Sequence, residues 1–143
     1  MILVDANVLL YAVNEDADRH AEAHGWFEAA LNDREPVGFS WLVLLAFLRL
    51  STKVGLFPDP LTIDAATAQV EAWLAQPPSV VLEPTTRHLQ VLTGLLKQTG
   101  TGGNLVSDAH LATLAVEHAA TVVSYDNDFE RFPGVHWQRP TVP

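Results

Sequence analysis

Four short runs of apolar residues punctuate this chain, Met1-Ile2-Leu3-Val4, Val37-Gly38-Phe39, Val80-Val81-Leu82 and Val122-Val123, with helical patterns filling the intervals. Runs this short, with no polar residue alternating through them, are strands covered on both faces. Strands separated by helices cannot pair as hairpins, so they line up in parallel. The expectation is an α/β fold in which one central parallel sheet carries helices on either side. Val135 to Trp137 predicts one further strand at an edge.

The helices are marked by their spacing and their punctuation. Asn7 to Asn14 predicts a short helix, and Asp18 to Asn32 a longer one with Ala23, Trp26, Phe27, Ala30 and Leu31 on one side. Ser40 is a natural N-cap for Trp41 to Ser51, a segment apolar almost all round and therefore expected to be central. Pro58 and Pro60 mark a loop. Thr62 to Gln76 is amphipathic, and Pro77-Pro78 stops it. A further helix spans Thr86 to about Gln98. After the loop Gly100-Thr101-Gly102-Gly103-Asn104, Asn104 can cap a helix running to about His118, and Asp128 to Phe132 reads as a short helical turn. Trp26, Trp41, Trp73 and Trp137, with Phe27, Phe39 and Phe47, sit at spacings that favour core or dimer packing over base stacking, so most of them are expected to be buried.

With 143 residues, 48% of them hydrophobic, the chain suits a single domain over 1–143. Cysteine is absent, which removes disulfides and thiolate metal sites and fits a reducing, cytoplasmic setting. The amino terminus lacks the pattern of a signal peptide. The longest apolar run, Trp41 to Leu48, stops at Arg49, far short of the roughly 20 residues a membrane span needs. A formal net charge of -9 argues against indiscriminate attraction to nucleic acid. It leaves room for a local basic rim, with Arg49, Lys53, Arg87, Lys97, Arg131 and Arg139 as candidates beside their plainer role as solubilising charges.

Three aspartates stand where a run gives out or a helix begins. Asp5 follows the first strand, Asp126 follows the strand around Val122-Val123, and Asp108 lies in the first turn after the glycine loop. In an open parallel sheet such positions share one crevice. Taken singly, each could satisfy backbone amides or a helix dipole. Two carboxylates about 5 Å apart repel by roughly 3 kcal/mol at an effective dielectric near 20, so a cluster needs an offsetting cation. Oxygen donors alone favour a hard ion such as Mg²⁺ or Mn²⁺. His20 and His24, four apart on a helix, are the other spacing suited to a metal, but no third ligand accompanies them. His110, two residues beyond Asp108, points elsewhere on its helix and reads as a surface or interface residue.

Four blocks in order, Asp5-Ala6-Asn7, Leu44 to Leu50, Gly103 to Ala112 and Ser124 to Phe129, resemble those of the PIN-domain ribonucleases, in particular the VapC toxins of bacterial toxin-antitoxin pairs. The resemblance runs from Met1 to about Trp137. It implies an α/β/α sandwich around a parallel sheet and a Mg²⁺- or Mn²⁺-dependent endoribonuclease that hydrolyses phosphodiester bonds with a Mg²⁺-activated water, leaving a 5′-phosphate and a 3′-hydroxyl. A usual homodimer and a VapB-type antitoxin that blocks the site are implied as well. By position, Asp5 and Asp108 look like the principal metal ligands and Asp126 like the further acid of that site. Asp128 shares the last motif, and Asn7 resembles a residue that orients the first aspartate or substrate.

One departure stands out. PIN nucleases usually carry a glutamate on the helix that here reads Trp41 to Leu50, and the matching position is Ala46, with no carboxylate anywhere between Ser40 and Pro58. Two readings follow: an active nuclease holding one cation, or a catalytically weakened domain that binds RNA or its antitoxin. A phosphoryl-accepting receiver domain is more distant, because its acidic pair late in the first strand and its lysine after the last strand are missing. The amphipathic helix Thr62 to Gln76 presents Ala66, Val70, Trp73 and Leu74 on one stripe, an expected surface for the dimer or the antitoxin. An antitoxin arginine could enter the acidic cluster.

Overall fold

The computed structural model describes residues 1–141, so the last two residues of the expected single domain lie outside the described residues. Five parallel strands form one sheet: β1 (Ile2–Val4), β2 (Val37–Phe39), β3 (Ser79–Val81), β4 (Thr121–Val123) and β5 (Trp137–Gln138), in the spatial order β3-β2-β1-β4-β5. Among the described residues six helices connect them: α1 (Ala6–Val13), α2 (His20–Leu31), α3 (Trp41–Thr52), α4 (Ile63–Leu74), α5 (His88–Thr99) and α6 (Leu105–Glu117). A short 3-10 helix, Asn127–Arg131, follows β4. Among the described residues no helix is long and apolar enough to cross a membrane.

The chain steps outward from β1 to β2 to β3 and then returns across the sheet to β4. Crossovers of one hand put helices on opposite faces when the direction reverses. The contacts agree: α1 packs against α2 and α3, and α3 against α4, while α5 pairs with α6. The reversal places the switch point between the carboxyl ends of β1 and β4, where this architecture opens its binding crevice.

The apolar runs of β1 and β2 are fully covered, as their lack of alternation requires. Gly38 is the exception that close packing demands: a Cβ there would sit 2.8 Å from Leu82 Cδ1 and 3.0 Å from the Ile2 carbonyl oxygen. Under α2 and α4, Phe27 meets Phe39 and Trp73 edge-on, and Trp73 meets Phe47 at 4.8 Å between centroids. Such aromatic pairs add roughly 0.5–1.5 kcal/mol each beyond burial.

Several expectations need correcting. The helix α3 is not central: Val43, Leu44 and Phe47 are buried, but Trp41 is 48% and Leu45 58% exposed, so an apolar face lies open to solvent. Most of the aromatic set is buried as expected, namely Trp26, Trp73, Phe27, Phe39 and Phe47, but Trp41 and Trp137 are not. The stripe on α4 turns inward, where Ala66, Val70 and Trp73 complete the chain's own core instead of offering an outer surface. Asn104 precedes α6 in helical conformation and makes no capping bond, whereas Ser40 does cap α3, accepting from the Val43 amide at 3.2 Å.

Candidate active site

Parallel pairing of β1 with β4 in the register Val4 to Val123 brings Asp5 beside Ser124. The Asp5 amide continues the ladder to the Val123 carbonyl at 3.0 Å. Asp5 Oδ1 accepts from the Ala6 amide at 2.7 Å, and Oδ2 accepts from Ser124 Oγ at 2.7 Å and from Asn7 Nδ2 at 3.5 Å. Ser124 Oγ in turn accepts from Asn7 Nδ2 at 3.1 Å and from the Asp126 amide at 2.9 Å. One donor and two lone pairs are all a hydroxyl has, so buried Ser124 is fully committed. Asn7 closes the mesh by accepting from the Tyr125 amide at 3.1 Å.

Asp126 spends Oδ1 on the Asp128 amide at 2.9 Å, capping the 3-10 helix and leaving its other oxygen for the crevice. Asp108 sits in the first turn of α6, after a loop in which Gly100 and Gly103 adopt positive φ of 71° and 59°. Only glycine takes that conformation without strain. Asp108, Asp126 and Asp128 each offer a carboxylate oxygen within 4.8 Å of the others. Of the five residues singled out in the sequence, three therefore converge. Asp5 stands beside that trio, coupled to it electrostatically, and Asn7 is tied to Asp5 and Ser124.

Crowding shows in the acidities. Burial, followed by repulsion from Asp126, Asp5 and Asp128, pushes the Asp108 carboxyl up to about 7. Burial raises Asp5 as well, against the opposing bonds from Ser124 and Ala6, and Asp126 adds repulsion. Arg131 Nη1 lies 4.0 Å from Asp128 Oδ1, with both side chains about half exposed. Such a pair does little to neutralise four acids. Converging hard oxygens that repel one another suit a hard divalent cation, and the donor set excludes a preference for soft metals.

Beyond the acids, Tyr125 donates to Glu22 Oε1 at 2.9 Å, meets Tyr11 edge-on at 5.3 Å and carries the Arg19 guanidinium 4.7 Å above its ring. Burial and the Glu22 carboxylate push its phenol well above the ordinary range, so it remains a neutral donor. This clasp fastens α1 and α2 to the loop that bears Asp126. No sequence pattern marks Glu22 or Arg19 for such a role, whereas Ser124 and Tyr125 lie inside the segment Ser124 to Phe129 that resembles the family.

The histidines fall elsewhere. His20 Nδ1 donates to the Tyr11 carbonyl at 2.9 Å and its ring stacks on His24, which leans on Glu28, so the pair is occupied structurally. His110 is not a plain surface residue. Its Nδ1 lies 2.8 Å from His88 Nε2, and His88 Nδ1 donates to Glu117, which Thr85 also contacts through its hydroxyl and amide. This network joins α5 to α6 inside the chain. Burial and the neighbouring His88 hold His110 below its ordinary value.

A parallel sheet of order 3-2-1-4-5 with acids at the switch point is matched, over residues 2–135, by the family model described as PIN domain. The chain belongs to the PIN-domain family. Its VapC-type character follows from relatives in Mycobacterium tuberculosis: this PIN domain is 56% identical over 140 residues to Ribonuclease VapC37, spanning 98% of this chain and 97% of that one. It is 41% identical over 142 residues to Ribonuclease VapC31, spanning 99% of this chain and all of that one. Among solved structures, VapC20 of Mycobacterium tuberculosis, a sarcin-ricin loop cleaving toxin, superposes with a TM-score of 0.68 at 19% identity, covering 95% of this chain and 99% of that one. VapBC-1 from nontypeable Haemophilus influenzae gives 0.68 at 18% identity over 99% of this PIN domain and the whole of that chain. Likeness at such low identity establishes the PIN fold alone.

Proposed function

We propose that this chain is an endoribonuclease dependent on Mg²⁺ or Mn²⁺, and the toxin of a toxin-antitoxin pair. The observation that carries the reading is the convergence of Asp108, Asp126 and Asp128 beside Asp5 at the switch point, with Asp108 raised to about 7 by its neighbours. The likeness to Ribonuclease VapC37 and Ribonuclease VapC31 supports the choice of reaction, and the likeness to VapBC-1 supports an antitoxin partner.

Asp108, Asp126 and Asp128 would hold the cation, with Asp5 as the further carboxylate. Bound there, the cation would neutralise the phosphate and acidify water. Asp5 is fixed in one orientation by Ala6, Ser124 and Asn7, so its carboxylate need not reorganise during the reaction. The oxygen of Asp126 that the Asp128 amide leaves free would serve the cation and would also accept a hydrogen bond from the attacking water. Asn7 keeps Asp5 and the Tyr125 backbone in register, a positioning role.

The open apolar face of α3, with Trp41 and Leu45, supports a homodimer. An RNA substrate and an antitoxin partner would support a cytoplasmic setting. The experiment that tests the reaction is cleavage of structured RNA by the parent, Asp5→Ala and Asp108→Ala in Mg²⁺, in Mn²⁺ and in chelator. Metal-dependent cutting by the parent, lowered by a hundredfold or more in both variants, is expected. Equal rates in all three would end the proposal.

A further inference from the structure

The loop that carries Asp126 and Asp128 is flanked by three arginines, each seated on a different one of four consecutive residues. Arg19 lies over the Tyr125 ring at 4.7 Å, Arg139 Nη2 donates to Asn127 Oδ1 at 2.5 Å, and Arg131 Nη1 approaches Asp128 Oδ1 at 4.0 Å. The chain has eight Lys and Arg in all against 17 Asp and Glu, so gathering three at one loop is a marked concentration. Arg131 and Arg139 belong to the rim suggested by the sequence, and Arg19 joins them from α1–α2, where sequence alone gave no reason to look.

Resting on the ribonuclease reading, we propose that Arg19, Arg131 and Arg139 form a clamp for the backbone phosphates of the RNA strand on either side of the scissile bond. A chain of net charge -9 repels RNA at long range, and the acids of the site repel the scissile phosphate most of all. Local guanidinium groups at the rim offset that repulsion where the strand must lie. Each is anchored in a way that leaves most of its fork unspent. A guanidinium has five N–H donors, and among the described residues Arg139 spends one on Asn127. Arg19 and Arg131 make only loose pairs at 4.0 Å, with Glu22 and Asp128, and their side chains are 47% and 52% exposed. Exposed pairs of that length contribute little to folding, so stability does not account for all three. Anchoring one end of a guanidinium while its remaining donors face solvent is the arrangement that favours bidentate capture of a phosphate.

The test is fluorescence anisotropy with a labelled single-stranded oligoribonucleotide over a salt series, in an Asp108→Asn background so that the RNA survives. Each of Arg19→Gln, Arg131→Gln and Arg139→Gln is expected to reduce the slope of log affinity against log salt by about 0.7. The triple variant is then expected to bind about a hundredfold more weakly at about 0.1 M salt. Arginine-to-lysine replacements, which keep the charge, should retain the parental slope, and Arg34→Gln, just before β2 at the amino-terminal end of the sheet and opposite the crevice, should change nothing. A triple variant with the parental slope and affinity overturns the clamp even where the parent cuts RNA. A parent that neither binds nor cuts RNA overturns the ribonuclease reading beneath it.

Discussion

Ser124 Oγ donates a 2.7 Å hydrogen bond to Asp5 Oδ2 across 119 residues of sequence, and in doing so fixes the first acid of the crevice to the strand that delivers the last. The hydroxyl also receives the Asp126 amide. Ser124→Ala is therefore expected to leave Asp5 and that amide each short of a partner, destabilising the fold by about 1–3 kcal/mol. Asp5 becomes harder to ionise, so Mn²⁺ affinity falls too. Thermal unfolding and calorimetric titration measure both effects, and Ser124→Thr, which keeps the hydroxyl, should restore the affinity. Unchanged melting and Mn²⁺ affinity in Ser124→Ala would contradict this role.

The Asp108 carboxyl gives a signed pH dependence. Its folded value, about 7, lies above the ordinary 3.8, so the folded chain holds this proton more tightly than the unfolded chain does. Without metal, its contribution to stability is fully present below about 4, declines as pH rises toward 7 and is gone above it. Asp5, also raised, acts in the same direction. A cation competes with these protons, so stabilisation by Mg²⁺ or Mn²⁺ should be small at pH 5 and large at pH 8. Melting curves across that range, with and without metal, check it. Asp108→Asn should flatten the metal-free decline.

The sheet was readable because β1 and β2 are buried on both faces and their sequences lack alternation, and the aspartates were readable because strand ends and helix starts face one crevice. Register was not. That Val4 pairs with Val123, and hence that Asp5 meets Ser124, depends on long-range pairing that no local pattern encodes. The Asp128 side chain joins Asp108 and Asp126 because a 3-10 turn, capped by Asp126 itself, folds it back. The exposure of α3 departs from its sequence for a related reason: an all-apolar helix signals two covered faces, but the second cover is not supplied by the described part of this chain.

Glu117 anchors α6 to α5. Its side chain is 3% exposed, and although burial opposes ionisation, bonds from Thr85 and His88 outweigh it and hold the carboxyl below the ordinary 4.5. Its stabilising contribution is present above that value and lost as pH falls through the folded one, opposite in sign to Asp108. Glu117→Ala should cost about 3 kcal/mol by leaving His88 and the Thr85 amide without their partner. Urea denaturation measures it, and a loss under about 0.5 kcal/mol, the size of an ordinary surface change, would show the network to be dispensable.

The turn from α6 into β4 holds a removable strain. Ala119 has φ of 53°, while the Ala120 amide bonds the Ala115 carbonyl at 2.8 Å, a Schellman ending with alanine where glycine is favoured. Ala119→Gly should stabilise the fold by about 0.5–1 kcal/mol, because glycine adopts this conformation freely and the entropy it adds to the unfolded chain only partly cancels the gain. A lower melting temperature than the parent's would contradict this.

The central claim is that acids from three separate segments share one hard cation, and anomalous diffraction from crystals soaked in Mn²⁺ tests it most directly. We expect one strong peak bounded by carboxylate oxygens of Asp108, Asp126 and Asp128 on the side facing Asp5, lost in Asp108→Asn crystals. No peak at that position, or one that persists without the Asp108 carboxylate, would contradict the account.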